Sequence, residues 1–364
     1  MVTIANDLVA LHSSDPVTVY LSVVARMRHP SLDAVSSALY DERSLVRHHA
    51  MRRTLWVFTP EVARLAHASS TSLLVAAERK RLEQMLDASG VTANPTAWVD
   101  QARRDTLAAL EELGPTPARR LGNAVPALRA PLRLAEGKSY AATVLAHTRV
   151  LLLLGFEGAI IRTRPTGSWI SSEYAWAPMS SWLDGGVEGI EGSDATGELA
   201  LRWLQAFGPG RTADLQWWTG WTAAATKRAL ALARAIEVDI DGASAWVAPD
   251  DLEAVRPPAP SVAFLPGLDP TTMGWKVRDW YLAPEHAAQI FDRNGNGGPT
   301  VWANGRIVGG WVQRKTGEIA YRLLTDVGRD QRLAIGEAAA DLERLLGDVR
   351  FTVRFPAPLQ RELA

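Results

Sequence analysis

The sequence predicts an α+β fold, and three features of the chain lead to that prediction. Segments with apolar residues at helical spacing alternate along the 364 residues with short, β-branched segments. Turn pairs such as Asp241-Gly242 join some of these short segments into hairpins. One order of elements, in which helices lead to a basic helix and then to a two-stranded hairpin, occurs three times. That order is the winged-helix form of the helix-turn-helix, so tandem winged-helix motifs are expected.

The chain is long enough for two or three domain-sized units, and two segments are expected to separate its parts. Residues 60–115 are rich in Ala, Leu, Arg and Glu and are expected to form a helical spacer. The proline-rich segment from Arg256 to Pro260 is expected to be a stiff linker. The five expected segments are 1–59, 60–115, 116–185, 186–256 and 257–364.

The first copy of the pattern, within residues 1–59, is the least complete. Helices are predicted from Pro16 to Arg26 and from Leu32 to Tyr40. Asp15 suits the start of the first helix, because aspartate caps a helix and the proline that follows fits its first turn. Residues from Arg52 to Phe58 are predicted to form a strand.

The second copy is expected within residues 116–185. Ser139 is placed to cap a long helix from Tyr140 to Leu154. A strand from Ala159 to Arg162 is then expected to turn and to return through Trp169-Ile170.

The third copy, within residues 186–256, shows the pattern most clearly. Thr212 is expected to cap the second of its helices, and Thr222 the third, which runs from Ala223 to Ala235. Apolar residues then alternate with acidic ones up to the turn at Asp241-Gly242, as in a half-buried strand of a hairpin.

The C-terminal segment is expected to be rich in β-structure. Antiparallel strands are predicted between Thr300 and Leu324, with glycine turns between them. A closing helix is predicted from Ile335 to Leu346, and a last strand from Phe351 to Phe355.

Composition and local sequence exclude several kinds of site. The chain has no cysteine, which excludes disulfides, thiolate zinc sites and a cysteine nucleophile. Its net charge of -1 gives no overall attraction to nucleic acid. The N-terminus lacks a signal-peptide pattern and the apolar run from Val150 to Phe156 is too short to span a bilayer, so a cytoplasmic protein is expected. Residues Gly208 to Thr212 lack the lysine and spacing of a phosphate-binding loop, and no cofactor is expected.

Two segments have parts of a metal-site pattern, and neither predicts a metal site. His48 and His49 are adjacent on an expected strand and would point to opposite faces, so they cannot both bind one metal. The segment from Asp292 to Gly297 begins like a calcium loop, but the position that requires glutamate is Ala303. That segment is better interpreted as a glycine-rich loop.

Five motifs are spread along the chain, from near the N-terminus into the C-terminal segment. They are Leu11 to Ser22, Met51 to Trp56, Leu265 to Pro270, Gly274-Trp275 with Arg278, and Gly305 to Trp311. Together they resemble the winged-helix DNA-binding proteins that include the bacterial AlkZ-type DNA glycosylases, over nearly the whole chain. The resemblance implies tandem winged helices that form a concave, basic surface for duplex DNA, in enzymes that excise alkylated purines. In the family an additional helix usually precedes the first motif, which allows a native start upstream of Met1.

The resemblance places the catalytic site at His12, Ser13 and Ser14, where the family's glycosylases carry glutamine, an apolar residue, and glutamine or aspartate. Such side chains can hold a water against the sugar carbon as the base departs. An N7-alkylated purine is cationic and already a good leaving group, so a positioned water and negative charge matter more than a strong acid. His12 is expected to position or deprotonate the water, with Ser14 as a helper. The alternative is that His12 only caps local backbone.

Two aspartates are further candidates. Asp269 matches an acidic position that the family keeps near its active site, and it is expected to be catalytic together with His12. The alternative for Asp269 is an Asp-Pro turn. For Asp15, a role as helix cap is favoured over a role as general base, although the two roles are compatible.

Basic residues on the expected basic helices and hairpins are the candidates for contacts with DNA phosphates. Each of them alone would be interpreted as a solvated surface residue, and their occurrence in three winged helices favours DNA. The fourteen tryptophans are expected to pack in the core or wings more often than to stack on bases. The candidate DNA-binding residues are Arg52, Arg53, Arg162, Arg164, Lys227, Arg228 and Arg234.

Three hypotheses about function follow. The first is a DNA-binding repair protein that hydrolyses the N-glycosidic bond of alkylated purines, which Asp269 and the near-full-length resemblance favour. The second is a catalytically silent duplex-binding or regulatory protein, which the altered His12-Ser13-Ser14 site favours. The third is a wing-lined pocket for a DNA-reactive small molecule. Duplex DNA is the expected partner and a membrane is not, and the sequence predicts no oligomeric state.

Overall fold

A computed structural model describes residues 1–134 and 141–364 of the chain. The described residues form two compact units, one made of residues 1–38 and 200–364 and the other of residues 39–199. Both units contain helices and antiparallel strands, which confirms the α+β class. The finer division into five segments stays a prediction.

The first unit starts with elements that surround the predicted catalytic segment. They are α1 (Val2–Asp7), β1 (Leu11–His12), α2 (Pro16–Val24) and α3 (Leu32–Tyr40), whose last residues belong to the second unit. As predicted, Asp15 caps α2, and its side chain accepts the amide N–H of Val17 at 3.1 Å. Every residue of α2 is buried, so this mostly apolar helix lies in the core.

The second unit opens with a β-hairpin, in which β2 (Val46–His49) pairs with β3 (Leu55–Phe58). Arg52 and Arg53, between the two strands, have φ of 57° and 59°, both in the left-handed region. The strand predicted from Arg52 to Phe58 is therefore wrong at its start, because the chain reverses at the two arginines and only its last four residues form a strand.

Helices follow the hairpin, as expected for the spacer. They are α4 (Pro60–Ala66), α5 (Val75–Ala88) and α6 (Pro95–Leu113), with irregular turns from His67 to Leu74 between the first two. The long α6 begins at an Asn94 cap and ends at Gly114, which has a positive φ of 67°. Leu82, Leu86 and Leu110 of these helices belong to the hydrophobic core of the unit.

Between residues 116 and 178, the described part of the second unit contains short strands and two α-helices. The elements are β4 (Thr116–Pro117), α7 (Ala118–Ala124), β5 (Pro131–Leu134), β6 (Ala142–Leu145), α8 (His147–Phe156), β7 (Ile160–Pro165) and β8 (Tyr174–Pro178). The strands pair antiparallel as β5 with β6 and in the order β4, β8, β7.

Two expectations for this region are wrong. The helix predicted from Tyr140 to Leu154 begins only at His147, because β-branched Thr143 and Val144 belong to β6 and pair with Arg133 and Leu132. The predicted cap Ser139, with Tyr140, lies outside the described residues. The returning strand predicted at Trp169-Ile170 is instead β8, after a longer loop.

The third predicted winged helix has the expected order of elements. They are α9 (Gly192–Phe207), α10 (Thr212–Thr219), α11 (Ala223–Leu232), β9 (Ile236–Ile240) and β10 (Ala243–Val247). Thr222 caps α11 as predicted, through the N–H of Ala225. Thr212 is the first residue of α10, and its cap is Arg211. Asp241 and Gly242 have φ of 52° and 81°, the positive values that a tight hairpin turn requires, so the predicted hairpin is confirmed.

The C-terminal part of the first unit is a four-stranded antiparallel sheet with helices beside it. The sheet contains β11 (Val262–Leu265), β12 (Thr300–Ala303), β13 (Arg306–Gln313) and β14 (Ile319–Leu323) in that order. The helices are α12 (Ala287–Ile290), α13 (Gly328–Leu346) and α14 (Pro358–Leu363). The last predicted strand, Phe351 to Phe355, is wrong, because amides there donate to the side chains of Gln313 and Asp15.

Candidate active site and DNA-binding residues

His12 lies at the end of β1 and is 8% exposed. Its Nδ1 accepts the backbone N–H of Ser14 at 3.4 Å. A ring nitrogen that accepts a hydrogen bond carries no proton, so the neutral imidazole in this arrangement carries its proton on Nε2. The local backbone contact foreseen as an alternative is therefore present, and it involves one nitrogen of the ring.

This arrangement of His12 determines what the ring can do chemically. As long as Nδ1 accepts from Ser14, Nε2 is a hydrogen-bond donor and cannot remove a proton. The neutral ring is suited to hold a water through the water oxygen. Deprotonation of that water by His12 would require the contact with Ser14 to break.

Ser14 and Asp15 contact Arg354 from the C-terminal segment. The carbonyl oxygen of Ser14 accepts Nη1 of Arg354 at 3.0 Å, and Asp15 Oδ2 accepts the backbone N–H of Arg354 at 3.4 Å. Burial raises the pKa of Asp15, although hydrogen bonds from Val17 and Arg354 and the positive charge of Arg354 act against this rise. Asp15 is thus both a helix cap and a carboxylate within the predicted catalytic segment.

Asp269 is completely buried and is fixed by an arginine that the sequence did not indicate. Arg26 donates to both carboxylate oxygens, with Nη2 at 2.7 Å from Oδ1 and Nη1 at 2.9 Å from Oδ2. The backbone N–H of Thr271 also donates to Oδ1, at 2.9 Å. A carboxylate held by three hydrogen bonds at zero exposure has contacts typical of a structural ion pair.

The segment that carries Asp269 is attached to α2 through residues at helical spacing. Thr18 Oγ1 donates to the carbonyl of Gly267 at 2.6 Å, and Arg26 donates to the carbonyl of Ser22 at 2.7 Å. Thr18 and Ser22 are four residues apart and lie on one side of α2, and Arg26 follows just after the helix ends. The spacing is visible in the sequence, but the partner of Arg26 lies 243 residues away along the chain.

In the second unit, the predicted DNA contacts Arg162 and Arg164 pack on aromatic rings. The guanidinium of Arg162 lies 4.9 Å from the ring centre of Trp176 and 5.7 Å from that of Tyr174. Arg164 lies 5.0 Å from the ring centre of Tyr40 and forms an ion pair with Asp41 at 2.6 Å. Its side chain is 54% exposed, whereas Arg162 is half-buried.

Arg47 completes this arrangement and was not indicated by the sequence. It is 3% exposed, and its guanidinium lies 5.7 Å and 4.6 Å from the ring centres of Tyr40 and Tyr174. It also donates to the hydroxyl of Tyr40 at 3.0 Å. Arg47 and Arg162 thus alternate with aromatic rings, and we call Tyr40, Arg47, Tyr174, Arg162 and Trp176 the aromatic ladder.

The two arginines in the turn of the first hairpin have different surroundings. Arg53 forms an ion pair with Glu78 at 2.9 Å, and the carboxylate partner is buried. Arg52 is exposed beside it. The left-handed conformation of both residues is a strained one for side chains with a Cβ.

On the third predicted winged helix, the candidate residues are open to solvent. Lys227 and Arg228 are exposed on α11, and Arg234 is exposed just after its end. Within residues 1–134 and 141–364, no carboxylate lies at ion-pair distance from any of the three. Their charges are therefore available to an anionic ligand.

Three histidines are buried together in the second unit. Nε2 of His48 lies 3.1 Å from Nδ1 of His67, and His49 stacks on Phe156 with ring centres 5.1 Å apart. Burial, with a contribution from His67, lowers the pKa of His48 to about 3, and burial also lowers the pKa of His49 and of His67. Among the described residues, no three His, Asp or Glu side chains are grouped as a metal site would require.

A cavity of about 730 Å³ lies beside the hairpin of the third predicted winged helix. Ile240 and Asp241 of the hairpin line it, together with Trp275, Trp280 and Arg306. Trp280 is 50% exposed and meets Trp275 edge to face, with ring centres 4.7 Å apart. The hypothesis of a wing-lined pocket for a small molecule stays a prediction that this cavity makes testable.

Within the described ranges, none of the helices combines the length and the apolar character that a bilayer span requires. A search among curated proteins returned no match. Among solved structures, a DNA glycosylase AlkZ from Streptomyces sahachiroi is similar to this chain, with a TM-score of 0.70 and 21% sequence identity over 97% of this chain and 91% of that one. At this identity the likeness shows the fold. A family model described as DNA glycosylase AlkZ-like matches residues 5–345. Because that match spans most of the chain, the protein belongs to the AlkZ-like DNA glycosylase family.

Proposed function

We propose that this protein binds duplex DNA and hydrolyses the N-glycosidic bond of alkylated purines, with His12 holding the attacking water. The observation that carries this proposal is the hydrogen bond from Ser14 N–H to His12 Nδ1, which makes Nε2 the protonated, donor nitrogen of the neutral ring. The family's glycosylases have glutamine at this position, and a glutamine amide also supplies an N–H donor. His12 can therefore replace glutamine in positioning a water without acting as a base.

The reaction needs little acid catalysis. The bond between the sugar carbon C1′ and the purine nitrogen breaks, and the electron pair neutralises the cationic alkylated base. Water then forms a new bond to C1′, and its proton leaves to Asp15 or to solvent. The negative charge of Asp15, in the same segment as His12, stabilises the positive charge that develops on the sugar.

We assign Asp269 a positioning role in this proposal, in place of the catalytic role expected from the resemblance. Both of its carboxylate oxygens accept hydrogen bonds from Arg26. Gly267 and Asp269 accept hydrogen bonds from Thr18 of α2 and from Arg26 just after it, and these bonds fix the position of α2. The helix begins directly after the segment from His12 to Asp15.

Release of free base in a single turnover, from a duplex with one N7-methylguanine, tests the proposal. Wild type should release the base, and His12→Ala should do so about 100-fold more slowly, as expected for loss of a positioned catalytic group. His12→Gln should retain most of the rate, because it restores the family's donor. If instead His12 acts as a base, His12→Gln should be slow, because an amide cannot take up the proton of the water.

A catalytically silent duplex-binding protein is the second candidate. The observation in its favour is that Asp269 is occupied by Arg26 and has no exposure. Tight binding of the same duplex by wild type without any base release would contradict the glycosylase proposal and support this one.

A further inference from the structure

We propose that a cleft lined by three arginines, next to the His12 segment, binds a backbone phosphate of the DNA strand that carries the damaged base. This inference rests on the proposed function, because it takes damaged duplex DNA as the ligand. The cleft lies in the first unit and has a volume of about 540 Å³. The loop at residues 292–294 and the C-terminal residues 354–361 line it. We call it the arginine cleft, after Arg293, Arg354 and Arg361.

The arginine cleft carries an excess of positive charge, because three arginines and one carboxylate line it. Its one carboxylate, Asp292, accepts the backbone N–H groups of Asn294 and Asn296 at 2.8 Å and 2.9 Å, and the side-chain amide of Asn296 at 2.9 Å. Burial by itself raises the pKa of Asp292, but these hydrogen bonds and the positive charge of Arg361 bring it below its ordinary value, so the one carboxylate is ionised and offsets part of the charge of the three arginines. Across the described part of the chain, no carboxylate lies at ion-pair distance from the three guanidinium groups.

The chemistry of the arginine cleft suits a phosphate. Guanidinium groups that share a cleft repel one another, and a bound anion removes that repulsion. A phosphodiester offers two charged oxygens, which a guanidinium meets with two parallel N–H donors. Because Arg293 and Arg361 approach from different segments of the chain, they can contact one phosphate from two sides.

Arg354 connects the arginine cleft to the candidate active site. Its Nη1 donates to the carbonyl of Ser14, and its backbone N–H approaches the carboxylate of Asp15. The segment from His12 to Asp15 therefore adjoins the basic wall of the cleft. A phosphate bound there would hold the strand next to His12, and this binding energy would position the sugar carbon that is attacked.

The arginines of this cleft were not among the residues expected to bind DNA. They lie in a loop and in the C-terminal segment, outside every predicted basic helix and hairpin. Only the fold brings residues 293 and 361 to one cleft with Arg354.

The test uses the full chain and a duplex with one 2′-fluoro-N7-methylguanine. This nucleotide resists hydrolysis because fluorine disfavours positive charge on the sugar, so binding is measured without base release. Uncharged methylphosphonates replace the phosphates around the lesion one at a time. For wild type we expect one or two positions at which the replacement weakens binding about tenfold, the size expected when a charged hydrogen bond is removed.

The double variant Arg293→Ala/Arg361→Ala should bind the unmodified duplex about tenfold more weakly than wild type. At the positions where a methylphosphonate weakens binding by wild type, the same replacement should not weaken binding by the double variant any further. Both arginines are exposed, so their removal leaves the fold intact. The matched control is Arg332→Ala, an exposed arginine of α13 that pairs with Asp326, and it should behave as wild type.

The proposal would be overturned if each methylphosphonate lowered the affinity of wild type and of the double variant equally. It would also be overturned if the double variant bound the unmodified duplex as tightly as wild type. A second arm measures thermal stabilisation by inorganic phosphate. Phosphate could stabilise wild type and not the double variant, while no methylphosphonate weakens DNA binding. That result would show that the arginine cleft binds free phosphate, and it would overturn the DNA assignment. Because both arms measure binding, a wild type that releases no base contradicts the proposed activity and leaves this inference standing.

Discussion

Three arginines of the second unit, Arg47, Arg53 and Arg162, contact aromatic rings or a carboxylate, whereas the basic residues of α11 in the first unit face solvent. Arg47 and Arg162 lie between the rings of the aromatic ladder, and Arg53 pairs with a buried carboxylate. Lys227 and Arg228 are exposed, and among the described residues they have no carboxylate partner. A stacked or paired arginine contributes to folding, while an exposed cation can exchange its counterions for a phosphate at little cost. The comparison separates basic residues that hold the fold from those we propose to bind DNA.

The largest effect is expected where an arginine is held most firmly, in the pair of Arg26 with Asp269. Asp269→Ala would leave the guanidinium of Arg26 without its buried partner, which is expected to lower the free energy of unfolding by about 3–5 kcal/mol. Urea denaturation measures the change. Replacing both residues by Arg26→Met and Asp269→Leu should recover much of the loss, since no unpaired charge then remains. A single variant as stable as wild type would show that the pair does not hold the first unit together.

The aromatic ladder should give the next largest effect. Arg47→Ala removes two cation–π contacts and a hydrogen bond to Tyr40 from a buried position, and is expected to destabilise the protein by about 2 kcal/mol. Arg228→Ala is the matched control and should change stability by less than about 0.5 kcal/mol. Equal effects of the two variants on the unfolding midpoint would remove the distinction between held and exposed arginines.

The buried histidines of the second unit are expected to make the stability of the protein depend on pH. Because the folded protein keeps His48, His49 and His67 neutral, the unfolded chain takes up protons below pH ~6.5 that the folded chain does not. Stability is therefore full above that pH, and His48 lowers it by about 1.4 kcal/mol per pH unit down to about pH 3, with His49 and His67 acting in the same direction. Urea unfolding at several pH values measures the slope. His48→Gln should reduce it and a variant of exposed His29 should not, while a flat profile between about pH 7 and about pH 5 would contradict this account.

The smallest effect is expected at Arg164, which lies between the two classes. It is 54% exposed and pairs with Asp41, itself 62% exposed, so Arg164→Ala should cost at most about 1 kcal/mol. The measurement is thermal unfolding at low and high salt, because an exposed ion pair weakens as salt rises. A loss of several kcal/mol in the free energy of unfolding would show that Arg164 stabilises the fold as Arg47 is expected to do.

The elements that could be predicted from sequence are those determined by neighbouring residues. Asp15 before Pro16 indicated the start of α2, and Asp241-Gly242 indicated the hairpin after α11, because each depends on local capping or turn geometry. The start of α8 could not be predicted, since residues 142–145 pair as a strand with residues 131–134. That pairing is a tertiary contact, and it overrides the helical spacing of apolar residues.

The candidate active site likewise has features that could be predicted from the sequence and features that could not. The segment from His12 to Asp15 was visible as a motif, and its catalytic role stays a prediction. The partner of Asp269 was not visible, because Arg26 precedes it by 243 residues. The left-handed turn at Arg52 and Arg53 was hidden as well, since arginine does not favour a positive φ.

The salt dependence of duplex binding tests the division of basic residues most directly. For wild type, the logarithm of the binding constant should fall linearly with the logarithm of salt concentration, with a slope of about -0.9 for each phosphate contact. The variant Lys227→Ala/Arg228→Ala/Arg234→Ala should bind more weakly and have a slope shallower by about 0.9 for each phosphate that it can no longer bind. The matched variant Arg53→Ala should keep the slope of wild type, because Arg53 is paired with Glu78. An unchanged slope in the α11 variant, together with a shallower one in Arg53→Ala, would contradict the account.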